Sequence, residues 1–224
     1  MNARDEILAR VRTALGDGPS EDVVPPRGYR STGSHAPGSD EALDLLVDRL
    51  EDYRAVVEAV SSADLPSAIA RVLAESGSVV VPDGVPPEWV DALTSVGLEV
   101  RTDRPGAPLA TGDLDTVGAV LTTGDLDTVG AVLTACRVAI AETGTIVLDA
   151  GADQGRRVIT LVPDRHVCVV RRDQVVESVP EAIAILQATR PQTWISGPSA
   201  TSDIELSRVE GVHGPRTLHV LIVA

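Results

Sequence analysis

Residues 195–205 form a segment whose order of residue types suits anion binding. An apolar strand ending at Ser196 is followed by a glycine, and small hydroxyl residues then lead into a helix predicted to begin near Ser202. Backbone N–H groups at such a turn, together with Ser and Thr hydroxyls, can bind a phosphate or a carboxylate. The same hydroxyls could equally serve only to cap the helix. The candidate ligand-binding residues of this segment are Ser196, Gly197, Ser199, Thr201, Asp203 and Glu205.

A glutamate stands in a second candidate segment, residues 141–145, between two apolar stretches. Glu142 at a tight turn between strands could point into a cleft and act as a catalytic base or nucleophile. Thr143, Gly144 and Thr145 beside it are candidate ligand-binding residues. The alternative interpretation of Glu142 is a solvated carboxylate in a turn.

A histidine between two glycines marks the third candidate segment, residues 211–215. His213 is a candidate catalytic residue because an imidazole titrates near neutral pH. Gly211 and Gly214 supply a permissive backbone, and with His213 they are candidate ligand-binding positions. The alternative is a loop histidine without a function.

Each of these segments adjoins an apolar stretch that predicts a strand. Ligands of open α/β sheets gather at the carboxyl ends of the strands. We therefore expect the Glu142 turn, the turn at residues 196–201 and the His213 loop to converge at that edge of the sheet.

Asp164, His166 and Cys168 alternate along the chain, so in a strand they share one face. Such a set resembles a metal triad. Alternate positions on one flat strand splay apart, however, and seldom converge on a single ion. We predict a structural strand with a buried Cys168 and no metal site.

The composition excludes several classes of protein. The net charge of −14 opposes binding to nucleic acid or to anionic membrane surfaces. No lysine is present, so there is no Schiff-base amine and no P-loop lysine, and all 19 basic residues are arginine. Two cysteines are too few for the usual four thiolate ligands of an iron–sulfur cluster. The first residues lack a signal-peptide pattern and no apolar run reaches about 20 residues, which predicts a cytoplasmic protein without a membrane insertion.

Helical and strand-like segments alternate along the chain, which predicts an α/β fold with a mostly parallel sheet flanked by helices. Ser39 is expected to open a helix whose apolar residues continue at helical spacing as far as Val57 and Val60. Ser178 and Glu181 have the spacing of a capping box at the start of another helix. Strands are predicted at residues 79–81, 98–100, 138–141, 145–148, 158–162, 167–170, 193–196 and 218–223.

The N-terminal segment differs from the rest of the chain. Asn2 is predicted to cap a first helix that stops before Gly16. The residues that follow are rich in Gly, Pro and Ser and show no periodicity. Residues 1–38 are therefore predicted to be a helical arm, and residues 39–224 the α/β domain.

Taken together, the motifs resemble the lactate-utilization protein C family, whose members consist of a single LUD domain. The resemblance rests on PRGY (26–29), AETGTIVLD (141–149), LVPDRHVCVV (161–170), ISGPSATSDIE (195–205) and GVHGP (211–215). It implies a fold like that of the NagB/RpiA/CoA-transferase group and a role in oxidising L-lactate to pyruvate. It also implies that the iron–sulfur clusters lie on separate partner subunits, so we expect no cofactor in this chain.

One departure from the family is a tandem repeat. Residues 111–122 and 123–134 are the same twelve residues, TGDLDTVGAVLT. Two copies are too few for a solenoid. The second copy stands directly before Ala135, where the family has a strand, so we predict that the first copy is an insertion tolerated in a surface loop.

Two classes of function remain open at this point. The chain could be a subunit of a lactate-oxidising assembly that binds a small carboxylate or phosphate, or a partner subunit. It could instead be a free-standing enzyme with the acyl-transfer or sugar-phosphate chemistry of the fold, with Glu142 as nucleophile or base.

Overall fold

The computed structural model describes residues 2–16, 26, 28–104, 121–201, 209–210 and 214–224, and it divides into two compact units, Met1–Arg30 and Ser31–Ala224. In the first unit, helix α1 (Ala3–Leu15) begins as predicted, because the Asn2 side chain accepts a hydrogen bond from the backbone N–H of Asp5 at 2.9 Å. It ends at Gly16, whose φ of +65° suits a residue without a side chain.

The second unit includes residues 31–38, which the sequence assigned to the arm. Gly38 donates a backbone hydrogen bond to the Val175 carbonyl at 2.9 Å. His35 Nδ1 lies 2.9 Å from a carboxylate oxygen of Glu177, whose side chain is buried. These contacts attach the segment to the α/β domain.

The second unit is built on a six-stranded sheet in which every pair of neighbouring strands is parallel. Its central strands are apolar and buried on both faces, as is typical of parallel sheets covered on both sides. In spatial order the strands are β1 (Val56–Val60), β12 (Thr217–Val223), β7 (Arg165–Arg171), β4 (Ala131–Ala135), β2 (Ser78–Pro82) and β3 (Glu99–Asp103).

A second, four-stranded sheet contains residues 138–148, where the two predicted strands form a hairpin. In spatial order its strands are β8 (Val175–Val176), β5 (Val138–Ile140), β6 (Thr145–Leu148) and β9 (Thr193–Ile195). Strands β5 and β6 are antiparallel, and β9 pairs antiparallel with β6. A short antiparallel pair joins β10 (Ala200–Thr201) to β11 (Val209–Glu210).

The two faces of the parallel sheet carry different layers. On one face, strand residues such as Val81 and Leu133 pack against two helices, α3 (Leu65–Leu73) and α4 (Pro87–Ser95). On the other face, residues such as Cys168 and Val220 pack against α2 (Asp40–Asp52) and the second sheet. The expected α/β fold with a mostly parallel sheet and flanking helices is therefore confirmed, with a second sheet forming much of one flanking layer.

The predicted helix from Ser39 is correct at its start and wrong at its end. The Ser39 side chain accepts a hydrogen bond from Ala42 N–H, but α2 stops at Asp52. Arg54 has a φ of +67°, which no helix can continue through. Val57 and Val60 lie in β1, where they pack on opposite faces of the sheet.

The predicted strand at residues 158–162 is also wrong. A 3-10 helix spans Arg157–Thr160, and the Thr160 hydroxyl closes it by donating to the Arg157 carbonyl at 3.1 Å. Its one large core residue, Ile159, is fully buried against Val80 and Val132 of the parallel sheet. Its two buried residues, Ile159 and Thr160, are consecutive, whereas a half-buried strand buries alternate residues.

The other short helices follow their capping signals. The predicted capping box of Ser178 and Glu181 is present at the start of α6 (Val179–Ile185). Helix α5 (Thr123–Asp127) begins with another capping box, formed by Thr122 and Asp125. A second 3-10 helix spans Arg172–Gln174. None of the helices in the described part of the chain is long and apolar enough to cross a bilayer.

Residues 149–156 cover part of the carboxyl edge of the parallel sheet. Gly84, just past β2, donates a backbone hydrogen bond to the Ala152 carbonyl at 3.0 Å. Ala135, the last residue of β4, donates to the Asp153 carbonyl at 2.9 Å. Arg156 binds the carboxylate of Asp103 at the end of β3. The edge at which the sequence predicted a ligand is thus partly filled by the chain itself.

The second copy of the repeat provides a strand of the parallel sheet. Its residues form α5 and most of β4, which pairs with β2 on one side and β7 on the other. The prediction that this copy fills the strand position is confirmed. Most of the first copy lies outside the described residues.

Deleting residues 111–122 should leave the fold intact. The deletion joins Ala110 to Thr123, so the connection after Arg104 shortens from sixteen residues (105–120) to four (105–108). The shorter connection favours folding by about 1.2 kcal/mol of closure entropy. Ala110 replaces Thr122 as the helix cap, which costs about 1 kcal/mol. We expect a cooperative urea transition with a free energy of unfolding within about 1 kcal/mol of the parent.

The matched control for that deletion restores the cap. Ala110→Thr in the shortened chain should recover the capping box with Asp125 and raise the free energy of unfolding by about 1 kcal/mol. A shortened chain that no longer unfolds cooperatively would show that the first copy is not expendable.

A buried ion pair joins the two ends of the connection after β3. Arg156 donates to Asp103 through Nε at 2.9 Å and through Nη2, and Nη2 also donates to the Leu121 carbonyl at 3.0 Å. The hydrogen bond to Asp103 raises the pKa of Arg156. Because Asp103 is fully buried, Arg156→Met should reduce the free energy of unfolding by about 3–5 kcal/mol at neutral pH.

Matched variants separate a charge effect from a packing effect. Asp103→Asn should cost less than Arg156→Met, because the Arg156 side chain is 31% exposed and water can reach it, whereas Asp103 is fully buried. Urea denaturation at neutral pH compares the two single variants with the double variant. A coupling energy near zero in this double-mutant cycle would contradict the ion pair.

Candidate functional site

A cleft of about 270 Å³ opens between the two sheets. Its volume lies near the lower limit of the roughly 300–1,000 Å³ common for ligand pockets, which favours a small ligand. The walls are β9 with the turn after it, the 3-10 helix at Arg157–Thr160, and the first residues of β7 and β12. The lining residues are Arg157, Thr160, His166, Thr193, Trp194, Ile195, Ser196, Gly197, Pro198, Ser199, Gly214, Pro215 and Leu218.

The cleft does not lie at the carboxyl edge of the parallel sheet, where the sequence predicted the site. His166 and Leu218 are the second residues of β7 and β12, so the cleft faces the amino-terminal ends of these parallel strands. Ser196 does follow the carboxyl end of β9, but β9 belongs to the second sheet. Loop 149–156 already covers part of the carboxyl edge of the parallel sheet, which is the physical reason for the difference.

Two of the three segments predicted to converge do lie together. Strand pairing places Ile195 opposite Ile146, and the Thr145 and Ser196 hydroxyl oxygens are 2.8 Å apart. Thr143 donates a hydrogen bond to the Thr145 hydroxyl at 2.8 Å. The Glu142 turn and the turn after β9 are therefore joined through a chain of hydroxyls.

The glycines of these two turns allow a helix to approach closely. Gly144 and Gly197 have φ values of +56° and +79°. A Cβ on Gly144 would lie 2.9 Å from the backbone of Arg49, and a Cβ on Gly197 would lie 2.6 Å from Tyr53. Both positions thus accept the end of α2, and this packing explains the glycines without a ligand. Gly197 also lines the cleft.

His166 forms part of the cleft wall although it is only 1% exposed. Its Nε2 lies 2.8 Å from the Thr134 hydroxyl. The same hydroxyl contacts Cys168 Sγ at 3.8 Å. Hydrogen bonds from Cys136 and then His166 lower the pKa of the Cys168 thiol, while the interaction with Cys168 and burial raise that of Cys136.

The described lining of the cleft contains two ionisable side chains and no carboxylate. Arg157 is held in place because its Nη1 donates to the Thr160 carbonyl at 2.8 Å. Partial burial lowers the pKa of Arg157, but a guanidinium stays protonated at neutral pH. His166 is the second group. A cleft lined only by basic ionisable groups, in a chain of net charge −14, can attract a small anion.

Asp164 takes part in an ion pair rather than in a metal site. Its carboxylate accepts two hydrogen bonds from Arg216, at 2.5 and 2.8 Å, which hold the pKa of Asp164 below its usual range. His166 and Cys168 are buried on one face of β7, as predicted. Within the described ranges, no group of three His, Cys, Asp or Glu residues could hold a metal ion.

The other predicted site residues are placed as follows. Glu142 does not line the cleft, and its backbone N–H donates to the Glu177 carbonyl at 2.9 Å. The backbone of Thr201 lies in β10. Gly214 lines the cleft, with Ser196, Gly197 and Ser199. Asp203, Glu205, Gly211 and His213 lie outside the described residues, as does the helix predicted near Ser202.

Sequence reasoning missed the two basic side chains of the cleft. Arg157 directly precedes the segment predicted to be a strand (158–162) and was interpreted as a solvated charge, and His166 was considered only as a metal ligand. A usable signal was present for His166. It precedes an apolar run at the start of a predicted buried strand, and a buried imidazole needs a polar neighbour. That neighbour, Thr134, is 32 residues away in the sequence.

A second cavity of about 430 Å³ is lined by Ile183, Leu186, Ala188, Arg190 and Gln192. It has fewer polar groups than the cleft and contains none of the residues singled out from the sequence. The cleft between the sheets is therefore the candidate functional site.

The hydroxyl contact between Thr145 and Ser196 should stabilise the β9 wall. Thr145 is only 4% exposed, so Thr145→Val removes a buried hydrogen bond at nearly constant shape. We expect a loss of about 1 kcal/mol in the free energy of unfolding and faster amide exchange in β9. Thr193→Val, the same change in β9, is the matched control. In a double-mutant cycle with Ser196→Ala, a coupling energy near zero would contradict the contact.

Comparison with known proteins agrees with the geometry. The LUD domain family matches residues 121–223. Lactate utilization protein C of Deinococcus radiodurans is 44% identical over 225 residues, which cover 99% of this chain and 95% of that protein. Lactate utilization protein C of Bacillus subtilis is 34% identical over 94 residues, which cover 38% of this chain and 39% of that protein.

A solved structure supports the same assignment. The crystal structure of a DUF162 family protein from Deinococcus radiodurans is similar with a TM-score of 0.64 and 42% identity, covering 82% of this chain and 97% of that chain. Near-complete coverage at 44% identity fixes the relationship: the chain belongs to the lactate utilization protein C family and carries a LUD domain.

Proposed function

We propose that this chain acts in lactate utilization, as a subunit of a system that oxidises L-lactate to pyruvate. The names of its relatives, lactate utilization protein C, support this role. With only two cysteines in the whole sequence, the chain lacks the usual ligand set of an iron–sulfur cluster. We therefore assign the clusters to partner subunits and propose that those subunits are the partners of this chain.

We further propose that the cleft between the sheets binds a small carboxylate. The observation that carries this proposal is the absence of acidic side chains from the described lining, although the chain has 33 acidic residues and 19 basic ones. The net charge of −14 opposes an anion at long range. Local groups outweigh that field only within about one Debye length, roughly 8 Å at physiological salt.

Existing hydrogen bonds limit which groups of the cleft would bind the anion. The backbone N–H of Ser199 donates to the Pro215 carbonyl at 2.8 Å, so it is already used. The Ser196 hydroxyl is shared with Thr145. Arg157, the fixed cation of the described lining, would meet the ligand charge while its Nη1 stays hydrogen-bonded to Thr160. Ser196, Gly197, Ser199 and Gly214 would shape the site around it.

The alternative of an acyl-transfer or sugar-phosphate enzyme needs Glu142 at the reacting atoms. Glu142 is half-buried in the β5–β6 turn and is not a lining residue of the cleft. No contact of the described residues favours this alternative over the carboxylate proposal. Ligands of both classes belong in the test.

Thermal unfolding of the purified chain tests the proposal directly. L-lactate or pyruvate at a hundredfold excess over its dissociation constant should stabilise the folded state by about 2.7 kcal/mol. For a chain of this length that corresponds to a rise in Tm of about 5–10 °C. Inorganic phosphate, acetyl-CoA and ribose 5-phosphate are tested in parallel. A shift with acetyl-CoA or the sugar phosphate alone would support the enzyme alternative instead.

Two arginine variants place the ligand. Arg157→Met should remove the carboxylate-dependent shift, because it removes the fixed cation of the cleft. Arg71→Met is the matched control, since Arg71 pairs with Glu58 on an exposed surface outside the cleft. A shift that persists in Arg157→Met, or that disappears equally in both variants, would contradict binding in the cleft.

A further inference from the structure

We propose that Thr160 is a positioning residue of the cleft. Its two oxygens hold the guanidinium of Arg157 in place, so that a carboxylate meets a cation whose position is set before the ligand binds. This inference rests on the proposed carboxylate site and names a residue that acts there through another side chain. Arg157 and Thr160 both line the cleft and stand at the two ends of the 3-10 helix.

The geometry of the 3-10 helix brings these two side chains together. Because the helix has about three residues per turn, side chains at positions i and i+3 lie above one another. Arg157 Nη1 donates to the Thr160 carbonyl at 2.8 Å and to the Thr160 hydroxyl at 3.0 Å. The guanidinium is therefore attached to its own helix through two oxygens of a single residue.

The hydroxyl of Thr160 binds both the side chain and the main chain of Arg157. Its oxygen accepts from Nη1, while its one proton is donated to the Arg157 carbonyl at 3.1 Å. Thr160 is only 2% exposed, so water competes little for these contacts. Because the hydroxyl proton is already donated within the helix, Thr160 contributes to ligand binding through the position of Arg157.

The main chain beneath the guanidinium is anchored by the neighbouring residues. Arg156 binds the carboxylate of Asp103, and Ile159 is fully buried against the parallel sheet. These contacts fix the backbone of the 3-10 helix, and the contacts with Thr160 fix the side chain that projects from it. Loss of the Thr160 hydroxyl should therefore loosen the guanidinium while the helix stays in place.

A guanidinium that is already held binds an anion more tightly than a mobile one. Immobilising a long side chain on binding opposes association, and a side chain held in advance has already lost that freedom. Partial burial lowers the pKa of Arg157, which shows that its charge has lost part of its hydration. The two oxygens of Thr160 replace some of that water.

Isothermal titration calorimetry of the full chain with sodium L-lactate tests the effect on binding. Thr160→Val keeps the shape and the carbonyl contact but removes the hydroxyl, and it should raise the dissociation constant by about two- to tenfold. Thr160→Ser keeps the hydroxyl and should restore the dissociation constant to near the parent value. Thr94→Val is the matched control, because it removes a hydroxyl that donates to main-chain carbonyls at the end of α4, outside the cleft lining.

NMR relaxation of the arginine Nε–H groups tests whether Thr160 acts through Arg157. The measurement uses the ligand-free chain, and the signal of Arg157 is identified by its loss in Arg157→Met. In the parent and in Thr160→Ser, this group should be more ordered than that of Arg10, whose side chain is 79% exposed. In Thr160→Val the order of Arg157 should fall towards that of Arg10.

The outcomes separate a positioning role from other roles of Thr160. A dissociation constant that rises in Thr160→Val while Arg157 keeps its order would indicate direct contact with the ligand and overturn the inference. An unchanged dissociation constant, or no recovery in Thr160→Ser, would also overturn it.

The same measurements distinguish this inference from the proposal on which it rests. If lactate does not bind the parent, the proposed site fails and the inference fails with it. If lactate binds although Arg157 in the ligand-free parent is as mobile as Arg10, the site stands and the positioning role is overturned. That comparison within the parent also decides the question should Thr160→Val not fold.

Discussion

The pairing of β9 with β6 is the interaction on which the candidate site depends. Strand β9 has only three residues and lies at the edge of the second sheet, so its position is fixed by β6 and by the hydroxyl contact between Thr145 and Ser196. That position holds one wall of the cleft opposite His166 on the parallel sheet. The positive φ of Gly144 and Gly197 lets the end of α2 close against the same corner. Strand β9 needs these contacts, because the burial of three residues alone contributes little to the stability of its position.

At the carboxyl edge of the parallel sheet, the chain itself fills part of the space that is open in the cleft. There residues 149–156 make backbone hydrogen bonds to Gly84, just past β2, and to the end of β4. Arg156 adds a buried ion pair with Asp103 and a hydrogen bond to the Leu121 carbonyl, and so brings together the two ends of the connection that contains the repeat. Ligands of open α/β sheets usually gather at this edge. Because it is partly filled here, the space for a ligand lies at the other end of β7 and β12, where the second sheet only partly covers the parallel one.

Local signals predicted much of the fold, and long-range contacts account for most of the errors. Four features are encoded within a few neighbouring residues: the hairpin at residues 138–148, the capping box at Ser178, the start of α2 at Ser39 and the last strand. The predicted helix ran too far, because Val57 and Val60 match helical spacing as well as they match the two faces of a strand. Of the candidate site residues, Ser196, Gly197, Ser199 and Gly214 line one cleft. Arg157 and His166 could not be added, because only the tertiary fold brings the 3-10 helix and β7 beside β9.

Charge decides which anions suit such a cleft. A ligand with one carboxylate and a few carbon atoms fits within about 270 Å³, so its whole charge lies beside Arg157 and His166. There the attraction acts within one Debye length. A larger polyanion, such as an acyl-CoA, would place further phosphates outside the cleft in the field of a chain with net charge −14. The same surplus of acidic residues that weakens anion binding at long range would therefore disfavour polyphosphates, relative to small monocarboxylates, at the proposed site.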